Sequence, residues 1–207
     1  MSKPSLILIG AGGHAHACID VIEQHGQYGI AGLVGRPEEM NARHFGYAVI
    51  ATDNDLPRLA KEYEYAFISV GQIQCADRRM RLYRQAVELG FKLPAIMAAT
   101  AYVSCHATIG AGTLVMHGAI VNAGAKVGSN CIINSHALIE HDSTLGDHCH
   151  ISTGAILNGA VNIGSGSFVG SGSVIKEGVS LGQHCVVGMG MCVRHNEADH
   201  ARLIGKD

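Results

Sequence analysis

The chain contains no tryptophan, and only six tyrosines and four phenylalanines occur among its 207 residues. Basic side chains are not in excess either, since 15 Lys and Arg stand against 17 Asp and Glu and leave a net charge of −2. Proteins that bind nucleic acid usually carry a basic surface and aromatic side chains on which bases stack. Because the sequence has neither feature, we expect no nucleic-acid partner.

Long apolar runs are also absent. The N-terminal segment MSKPSLILIGAGGHAHACID has one short apolar stretch, residues 6–9, which gives way to glycine and histidine. Such a stretch is too short for a secretory signal and cannot span a bilayer. We therefore expect no membrane association and a cytoplasmic location.

An aliphatic residue occupies every sixth position from residue 103 to residue 193, sixteen times without exception. The series is Val103, Ile109, Val115, Val121, Val127, Ile133, Ile139, Leu145, Ile151, Leu157, Ile163, Val169, Ile175, Leu181, Val187 and Val193. A helix repeats near 3.6 residues and a strand at 2, so neither explains a period of six. A fixed short period is typical of stacked repeats, in which each unit buries its apolar face against the next.

A second, mostly small residue follows each aliphatic residue by four positions, and glycine often follows it directly, as at Gly110, Gly128 and Gly146. Glycine accepts the positive φ or the close approach that a tight corner needs. Each unit is therefore predicted to be a short strand plus a corner. The pattern resembles the hexapeptide repeat of the left-handed parallel β-helix, which implies three units per triangular coil and stacking of residues eighteen apart.

The seven cysteines form no CxxC pair, and an odd number fits no small-domain disulfide framework. Cys131, Cys149 and Cys185 fall on the small-residue position of the repeat, so we expect them to fill space in the core. Zinc binding through cysteine and histidine is the alternative, and no CxxC pair supports it.

Residues 1–95 follow a different pattern, in which runs typical of buried strands alternate with helical spacing. The predicted strands are residues 6–9, 28–34, 48–51 and 66–70, and the predicted helices are residues 15–24, 56–63 and 77–89. This alternation favours a parallel sheet flanked by helices. We therefore expect two domains, a Rossmann-like α/β domain over residues 1–95 and a left-handed parallel β-helix over residues 96–207.

The first predicted strand and helix are joined by Gly10-Ala11-Gly12-Gly13-His14. A glycine turn that leads into a helix N-terminus offers free N–H groups and a positive dipole end to phosphate. No acidic residue follows among residues 33–36, where a dinucleotide fold holds its ribose, so we expect no nicotinamide cofactor. The alternative is a tight turn without a ligand, with His14 as a capping residue.

His141 and Asp142 follow the aliphatic residue Ile139 by two and three places, and both are predicted to point out of the coil. An outward histidine beside a carboxylate is the best general-base candidate in the sequence. The alternative is that both are ordinary solvated turn residues.

The columns of the predicted coil add a second argument. One coil before and one coil after His141 lie Ala123 and Gly159, which have almost no side chain. We therefore expect a recess in the wall beside His141. One side of it is a polar column, Asn122, Glu140 and Asn158.

Other histidines give weaker signals. His148 and His184 lie two coils apart in one column and are expected at the surface. His106, His117 and His136 share no column, and no acidic partner is evident for them.

A β-α-β domain that opens with Gly-Ala-Gly-Gly-His, joined to hexapeptide repeats that carry Ile139-Glu140-His141-Asp142, resembles the sugar acetyltransferases of the sialic-acid O-acetyltransferase and bacillosamine N-acetyltransferase type. The similarity runs through nearly the whole chain. It implies an acetyl-CoA-dependent reaction without a metal, in a homotrimer whose cofactor lies in the groove between two subunits.

The resemblance also implies roles for single residues. His141 is the general base, Asp142 raises its basicity and Asn134 faces the acceptor sugar. Phosphates or sugar of the nucleotide contact Gly12, Gly13 and His14. The implied acetyl-CoA contacts are His150, Gly159, Gly170, Ser171, Gly188 and Met189.

Two departures from that family leave questions open. N-acetylating relatives have acidic residues after the second strand, where this chain has Gly35-Arg36, so the nucleotide is not specified. Many relatives end in a Gly-x-Pro-Ala-Lys-type tail beside the adenine pocket, whereas residues 201–207 read ARLIGKD.

We expect N-acetylation of the 4-amino group of a nucleotide-linked dideoxy sugar, a reaction of surface polysaccharide biosynthesis. O-acetylation of a sialic acid by the same histidine is the nearest alternative. A non-catalytic sugar-nucleotide-binding module is the second. A carbonic-anhydrase-like β-helix requires three histidine ligands, and no such trio lies in suitable columns.

Overall fold

The computed structural model describes residues 3–205. Its N-terminal domain contains strands β1 (Ser5–Ile9), β2 (Gly29–Gly35), β3 (Arg43–His44), β4 (Tyr47–Thr52) and β5 (Tyr65–Ile68), and helices α1 (Gly13–His25), α2 (Leu56–Glu62) and α3 (Asp77–Glu88). The strands form one sheet in the order β3-β4-β2-β1-β5, and every pairing is parallel except the β3–β4 hairpin. The predicted parallel α/β sheet is thereby confirmed, whereas the short edge strand β3 was not predicted.

The two faces of this sheet are covered by different helices. Leu6 and Leu8 pack with the apolar residues of α1, while Ile7 and Ile9 pack with those of α2 and α3. All four residues are fully buried. A continuous apolar run is expected for a strand with helices on both sides.

The C-terminal part is built from eighteen two-residue strands. They are β6 (Ile96–Met97), β7 (Tyr102–Val103), β8 (Thr108–Ile109), β9 (Leu114–Val115), β10 (Ile120–Val121), β11 (Lys126–Val127), β12 (Ile132–Ile133), β13 (Leu138–Ile139), β14 (Thr144–Leu145), β15 (His150–Ile151), β16 (Ile156–Leu157), β17 (Asn162–Ile163), β18 (Phe168–Val169), β19 (Val174–Ile175), β20 (Ser180–Leu181), β21 (Val186–Val187), β22 (Cys192–Val193) and β23 (Arg202–Leu203).

These strands form the three parallel sheets of a left-handed β-helix. The first prism sheet runs from β6 through β9, β12, β15, β18 and β21 to β23, the second from β7 to β22 and the third from β8 to β20. Paired residues are eighteen apart, as in the series Val121, Ile139 and Leu157. The structure thus confirms three units per coil.

The interior of the prism is the predicted aliphatic column. Fourteen of its sixteen residues are buried, and only the first two, Val103 and Ile109, are partly exposed. Cys131, Cys149 and Cys185 are buried free thiols among them, which confirms their interpretation as core residues.

The corners use glycine in two ways. Left-handed backbone occurs three places after the aliphatic residue, for example at Gly124 (φ 76°) and at Asp142 (φ 61°). The glycines directly after the aliphatic residues are instead required by close packing between coils, since a Cβ on Gly110 would lie 2.5 Å from a backbone carbon of Gly128. Both uses of glycine that the repeat predicts, positive φ and close approach, therefore occur, but at different positions of the hexapeptide.

The two parts of the chain share apolar packing. Ile96, Leu114 and Met116 of the first two coils belong to one cluster with Ile19 and Ile22 of α1. This contact fixes the position of the α/β sheet beside the prism. Through residues 3–205, every helix falls short of the length and apolar content needed to cross a membrane.

Candidate active site

Residues 10–12 connect β1 to α1, and together with Gly13 and His14 of the first turn of α1 they line a cavity of about 430 Å³. The facing walls come from residues 69–73, which follow β5, and from Arg36 and Glu39, which follow β2. The cavity therefore lies at the carboxyl ends of the parallel strands, where α/β sheets bind ligands.

Gly12 and Gly13 line this cavity although the fold itself does not require glycine there. Gly12 has φ −82°, and a Cβ at either position would meet no atom within 4 Å. Gly12 is the N-cap of α1, and the first turn has neither an acidic residue nor a side-chain cap. The uncapped N–H groups of the first turn of α1, and the absence of side chains at Gly12 and Gly13, suit the close approach of a phosphate.

His14 lines the same cavity from the first turn of α1. Because Gly12 is the N-cap, the alternative role of His14 as a capping residue is wrong. Burial, together with the nearby charges of Arg79 and His150, lowers the pKa of His14 to about 3. The ring is therefore neutral at neutral pH, and within residues 3–205 its buried Nε2 has no hydrogen-bond partner.

A groove of about 540 Å³ runs along the first prism sheet. Five of the six predicted acetyl-CoA contacts line it, namely His150, Gly170, Ser171, Gly188 and Met189. Asn134, which was assigned to the acceptor sugar, lines the same groove. Arg202 and Ile204 of the C-terminal tail line the upper end of the groove, meaning the end at β23, which is the last strand of the first prism sheet.

His150 belongs to β15 of the first prism sheet, five places after the aliphatic residue Leu145. The side chain does point out of the coil, but His150 is only 7% exposed because Gln72 of the N-terminal domain covers it. The ring also packs edge-on against Phe168, with 5.2 Å between centroids. Burial lowers the pKa of His150 to about 4, so the ring is neutral at neutral pH.

The hydrogen bonds of His150 define its tautomer. Its Nδ1 lies 2.5 Å from the carbonyl oxygen of Gln72, and a carbonyl oxygen can only accept, so Nδ1 carries the proton. Nε2 then has a lone pair, which accepts a hydrogen bond from the Asn134 side-chain amide at 3.2 Å. The ring of His150 therefore presents a hydrogen-bond acceptor, not a donor, toward Asn134.

The cavity and the groove share a wall. Ile73 lines both, and its neighbour Gln72 lines the cavity while holding His150 in the groove. The Gln72 side-chain amide also donates to the carbonyl of Gly166 in the prism at 3.2 Å. The predicted nucleotide and acetyl-CoA residues are thus brought to opposite sides of one short segment.

His141 and Asp142 form a direct pair at a corner of the prism. Nδ1 of His141 lies 2.9 Å from Oδ2 of Asp142, and both side chains are exposed. The Glu140 carboxylate accepts from the backbone N–H of His141 at 3.3 Å and from the side chain of Asn122 at 2.8 Å. The pair therefore leaves Nε2 of His141 as the free nitrogen of the ring.

Gly159 lies next to His141, as the column argument predicted, but not beside an empty recess. A Cβ on Gly159 would be 2.7 Å from Nε2 of His141, so the imidazole itself occupies the space that glycine leaves. Gly159 is also the one predicted acetyl-CoA contact that belongs to this corner and not to the groove.

The groove and the histidine pair lie on different corners of the prism. His141 is in the turn from β13 of the second prism sheet to β14 of the third, whereas Asn134 follows β12 of the first. One protomer therefore does not join His141 to its own groove.

Two further expectations are corrected. His117 does have an acidic partner, because its Nε2 lies 2.9 Å from a carboxylate oxygen of Asp20 on α1. His148 is partly covered, since the ring of Tyr83 on α3 packs edge-on against it. Both partners come from the other domain, so the columns of the repeat could not reveal them. Among residues 3–205, no group of three or more histidine, cysteine, aspartate or glutamate side chains is placed to hold a metal.

Gln72 and Arg202 line the site although nothing in the sequence predicts a role for them. Gln72 follows directly on Gly71, which ends the strand predicted over residues 66–70, so the strand edge was the only available signal. Arg202 lies in the C-terminal tail, residues 201–207, whose sequence departs from that of related proteins. Neither residue belongs to a periodic pattern, and their roles depend on how the domains pack.

Family models match three parts of the chain. The PglD N-terminal domain matches residues 5–85, the bacterial transferase hexapeptide (six repeats) matches residues 106–141, and the hexapeptide repeat of succinyl-transferase matches residues 160–194. Comparison with curated protein sequences gives no match.

Solved structures match over the full length. PerB from Caulobacter crescentus in complex with CoA and GDP-perosamine is 31% identical, with a TM-score of 0.91 over 99% of this chain and 95% of that one. The acetyltransferase domain of PglB from Neisseria gonorrhoeae in complex with acetyl coenzyme A is 31% identical, with a TM-score of 0.90 over 99% and 97%. WeeI from Acinetobacter baumannii, at 20% identity and a TM-score of 0.83 over 97% of both chains, shares the fold.

Proposed function

Because the chain belongs to the family of hexapeptide-repeat sugar N-acetyltransferases with a PglD-type N-terminal domain, we propose that it transfers the acetyl group of acetyl-CoA to the amino group of a nucleotide-linked amino sugar. The groove is the observation that supports this proposal most directly. It is lined by His150, Gly170, Ser171, Gly188 and Met189, and Ile73 separates it from the cavity at the Gly10–His14 turn.

The acceptor binds in the cavity of residues 10–14. Its phosphates approach Gly12 and Gly13, where the first turn of α1 supplies N–H groups. The structure of PerB with GDP-perosamine supports an acceptor that consists of a nucleoside diphosphate and an amino sugar. The reacting group is the 4-amino group of a dideoxy sugar.

Acetyl-CoA binds along the first prism sheet. Nε2 of His150 has one lone pair, which accepts an amide N–H of the pantetheine arm when the Asn134 amide turns toward the reacting groups. From β15 to β23 the groove climbs three strand spacings, roughly 14 Å at about 4.8 Å each. An extended chain of about four residue lengths covers that span, so the arm brings the CoA phosphates to Arg202.

His141 is the general base. Its Nδ1–H donates to Asp142, so Nε2 accepts the proton that the amine loses as its nitrogen attacks the thioester carbonyl. The new C–N bond forms, the C–S bond breaks and CoA leaves as a thiolate, which takes up a proton from His141 or solvent. Since Nε2 of His150 has no proton, the oxyanion needs a backbone N–H or the Asn134 amide as its donor.

The complete site combines two protomers of a homotrimer. His141 lies at the corner between the second and third prism sheets, and the groove follows the first, so one chain supplies the base and its neighbour supplies the groove. Packing prism against prism brings a corner of one chain to a face of the next.

The test is CoA release from acetyl-CoA with a panel of UDP-, dTDP- and GDP-linked 4-amino sugars, beside free and CMP-linked sialic acid. We expect turnover with at least one nucleotide-linked amino sugar. Turnover with a sialic acid alone would replace this proposal by O-acetylation, which uses the same base. Tight sugar-nucleotide binding without CoA release from any acceptor would indicate a non-catalytic module.

A further inference from the structure

Arg79 on α3 is a buried cation that has no counterion among residues 3–205. Its residue is 1% exposed, and none of the ion pairs within residues 3–205 includes it. Burial lowers the pKa of Arg79 to about 10, which leaves the guanidinium charged at neutral pH. Because a desolvated charge is costly unless its donors are satisfied, this position needs an explanation.

The guanidinium donates to three backbone carbonyls. Nη1 lies 2.7 Å from the carbonyl oxygens of Ile68 and Val70, at the end of β5. Nε lies 3.2 Å from the carbonyl oxygen of Asn130, at a corner of the prism. The rigid fork of arginine thereby joins the carboxyl edge of the α/β sheet to the β-helix.

The segment that Arg79 holds continues directly into the shared wall of the two sites. Gln72 is two residues beyond Val70 and is 3% exposed. Its carbonyl oxygen accepts from Nδ1 of His150, and its side chain donates to the prism. Arg79 is thus connected to His150 through one short run of backbone, residues 70–72.

We propose that Arg79 is a positioning residue for acetyl transfer, which fixes residues 70–72 so that the Gln72 carbonyl keeps His150 as the Nδ1–H tautomer with Nε2 turned toward Asn134 and the groove. The effect on catalysis rests on the function proposed above, whereas the tautomer of His150 does not. The charge of Arg79 acts in the same direction, because it lowers the pKa values of His14 and His150 and so favours their neutral forms.

The geometry also explains why arginine is needed here. A lysine ammonium carries a point charge and cannot reach carbonyls on two sides in a planar fork. Arg79→Lys therefore keeps the buried positive charge but loses part of the hydrogen bonding that joins the two domains. Arg79→Met loses both the charge and the hydrogen bonds. Arg81 is an exposed arginine on the same helix, so Arg81→Met is the matched control.

Nitrogen-15 NMR of histidine-labelled protein tests the proposal, because long-range couplings distinguish a protonated from an unprotonated ring nitrogen. His150→Asn identifies the His150 signals. We expect a single Nδ1–H tautomer for His150 in the wild type and in Arg81→Met, and a mixture of tautomers in Arg79→Lys and Arg79→Met. In steady-state kinetics the two Arg79 variants should raise KM for acetyl-CoA about tenfold, the effect of one misplaced hydrogen bond, with a smaller change in kcat.

An Nε2–H tautomer of His150 in the wild type would overturn the proposal even if no Arg79 variant folds. An unchanged single tautomer in folded Arg79→Lys or Arg79→Met would do the same. If no acceptor is acetylated by the wild type, the function proposed above fails while the tautomer measurement still decides the role of Arg79.

Discussion

Nδ1 of His141 lies 2.9 Å from the carboxylate of Asp142, although consecutive residues of an extended chain point in opposite directions. The contact exists because Asp142 has a left-handed backbone, with φ 61°, at the corner of the prism. Aspartate tolerates this conformation better than most residues. The corner that closes the coil therefore also builds the pair that we assign to proton transfer.

Replacement of His141 tests that assignment. His141→Ala should lower kcat by roughly two to four orders of magnitude, the usual contribution of a general base. The side chain is exposed, so the thermal midpoint should change little. The exposed His195 is a matched control, and His195→Ala should retain activity. Near-full activity of His141→Ala with the true acceptor would show that another group removes the proton.

Asp142 orients the imidazole, so Asp142→Asn should lower kcat by about tenfold without a comparable change in KM for acetyl-CoA. Asparagine also tolerates the left-handed corner, which keeps the coil intact. The rate is measured at saturating concentrations of both substrates. A wild-type kcat for this variant would mean that the 2.9 Å contact has no part in the reaction.

Gly159 leaves room for the imidazole. A Cβ at that position would lie 2.7 Å from Nε2 of His141, so Gly159→Ala should displace the ring and lower kcat by roughly a hundredfold, as small misplacements of reacting groups do. Gly159→Leu should have at least as large an effect. Gly29→Ala is the control, since the nearest atom to its added Cβ is 4.0 Å away. Unaltered kinetics in Gly159→Ala would place the imidazole elsewhere in the working enzyme.

Arg202 at the upper end of the groove should bind the CoA phosphates by charge. Arg202→Gln is expected to raise KM for acetyl-CoA about five- to tenfold, with an effect that shrinks as salt is added. Arg58→Gln, on the exposed face of α2, serves as the control. Equal KM values for wild type and Arg202→Gln at low salt would remove Arg202 from the cofactor site.

Acid should destabilise the fold through His14 and His150. Their pKa values are about 3 and about 4 in the folded protein against 6.5 as the ordinary value, so the unfolded chain binds more protons between those limits. The stabilisation is therefore complete above pH 6.5 and is lost as the pH falls toward 4. Each histidine contributes a slope of about 1.4 kcal/mol per pH unit in this window.

Chemical denaturation at a fixed protein concentration between about pH 7 and pH 5 measures that slope. His14→Asn should remove one histidine's share of it, whereas replacement of the exposed His195 should leave it unchanged. A free energy of unfolding that is constant over the window would contradict the burial of both rings.

The repeat made the β-helix predictable in detail. A period of six fixes which residues face inward, and three units per coil fix which residues stack, so the neighbours of His141 could be named before any coordinates. The strand–helix alternation of the first domain was equally clear. The edge strand β3 was not, because two residues of polar sequence carry no period.

The parts of the site that depend on domain packing could not be predicted. The columns of the repeat do not show that the Gln72 carbonyl accepts a hydrogen bond from His150, or that Arg79 donates to three backbone carbonyls. The contact of Gln72 with His150 and that of Arg79 with Asn130 join residues 78 and 51 positions apart, across two unlike domains. The periodic pattern predicts which residues of successive coils stack on each other. It carries no information on which residues of the outer prism surface contact the N-terminal domain.

The eighteen-residue stacking constrains how the length of this chain can change. Loss or gain of a single hexapeptide would move all later hexapeptides to a different face of the prism. The residues that line the groove, and those around His141, would then no longer stack in their columns. A whole coil could be added or removed with the later rows still aligned. We therefore expect tolerated length variation inside the prism to come in steps of three hexapeptides, with other insertions confined to loops that bulge from a corner.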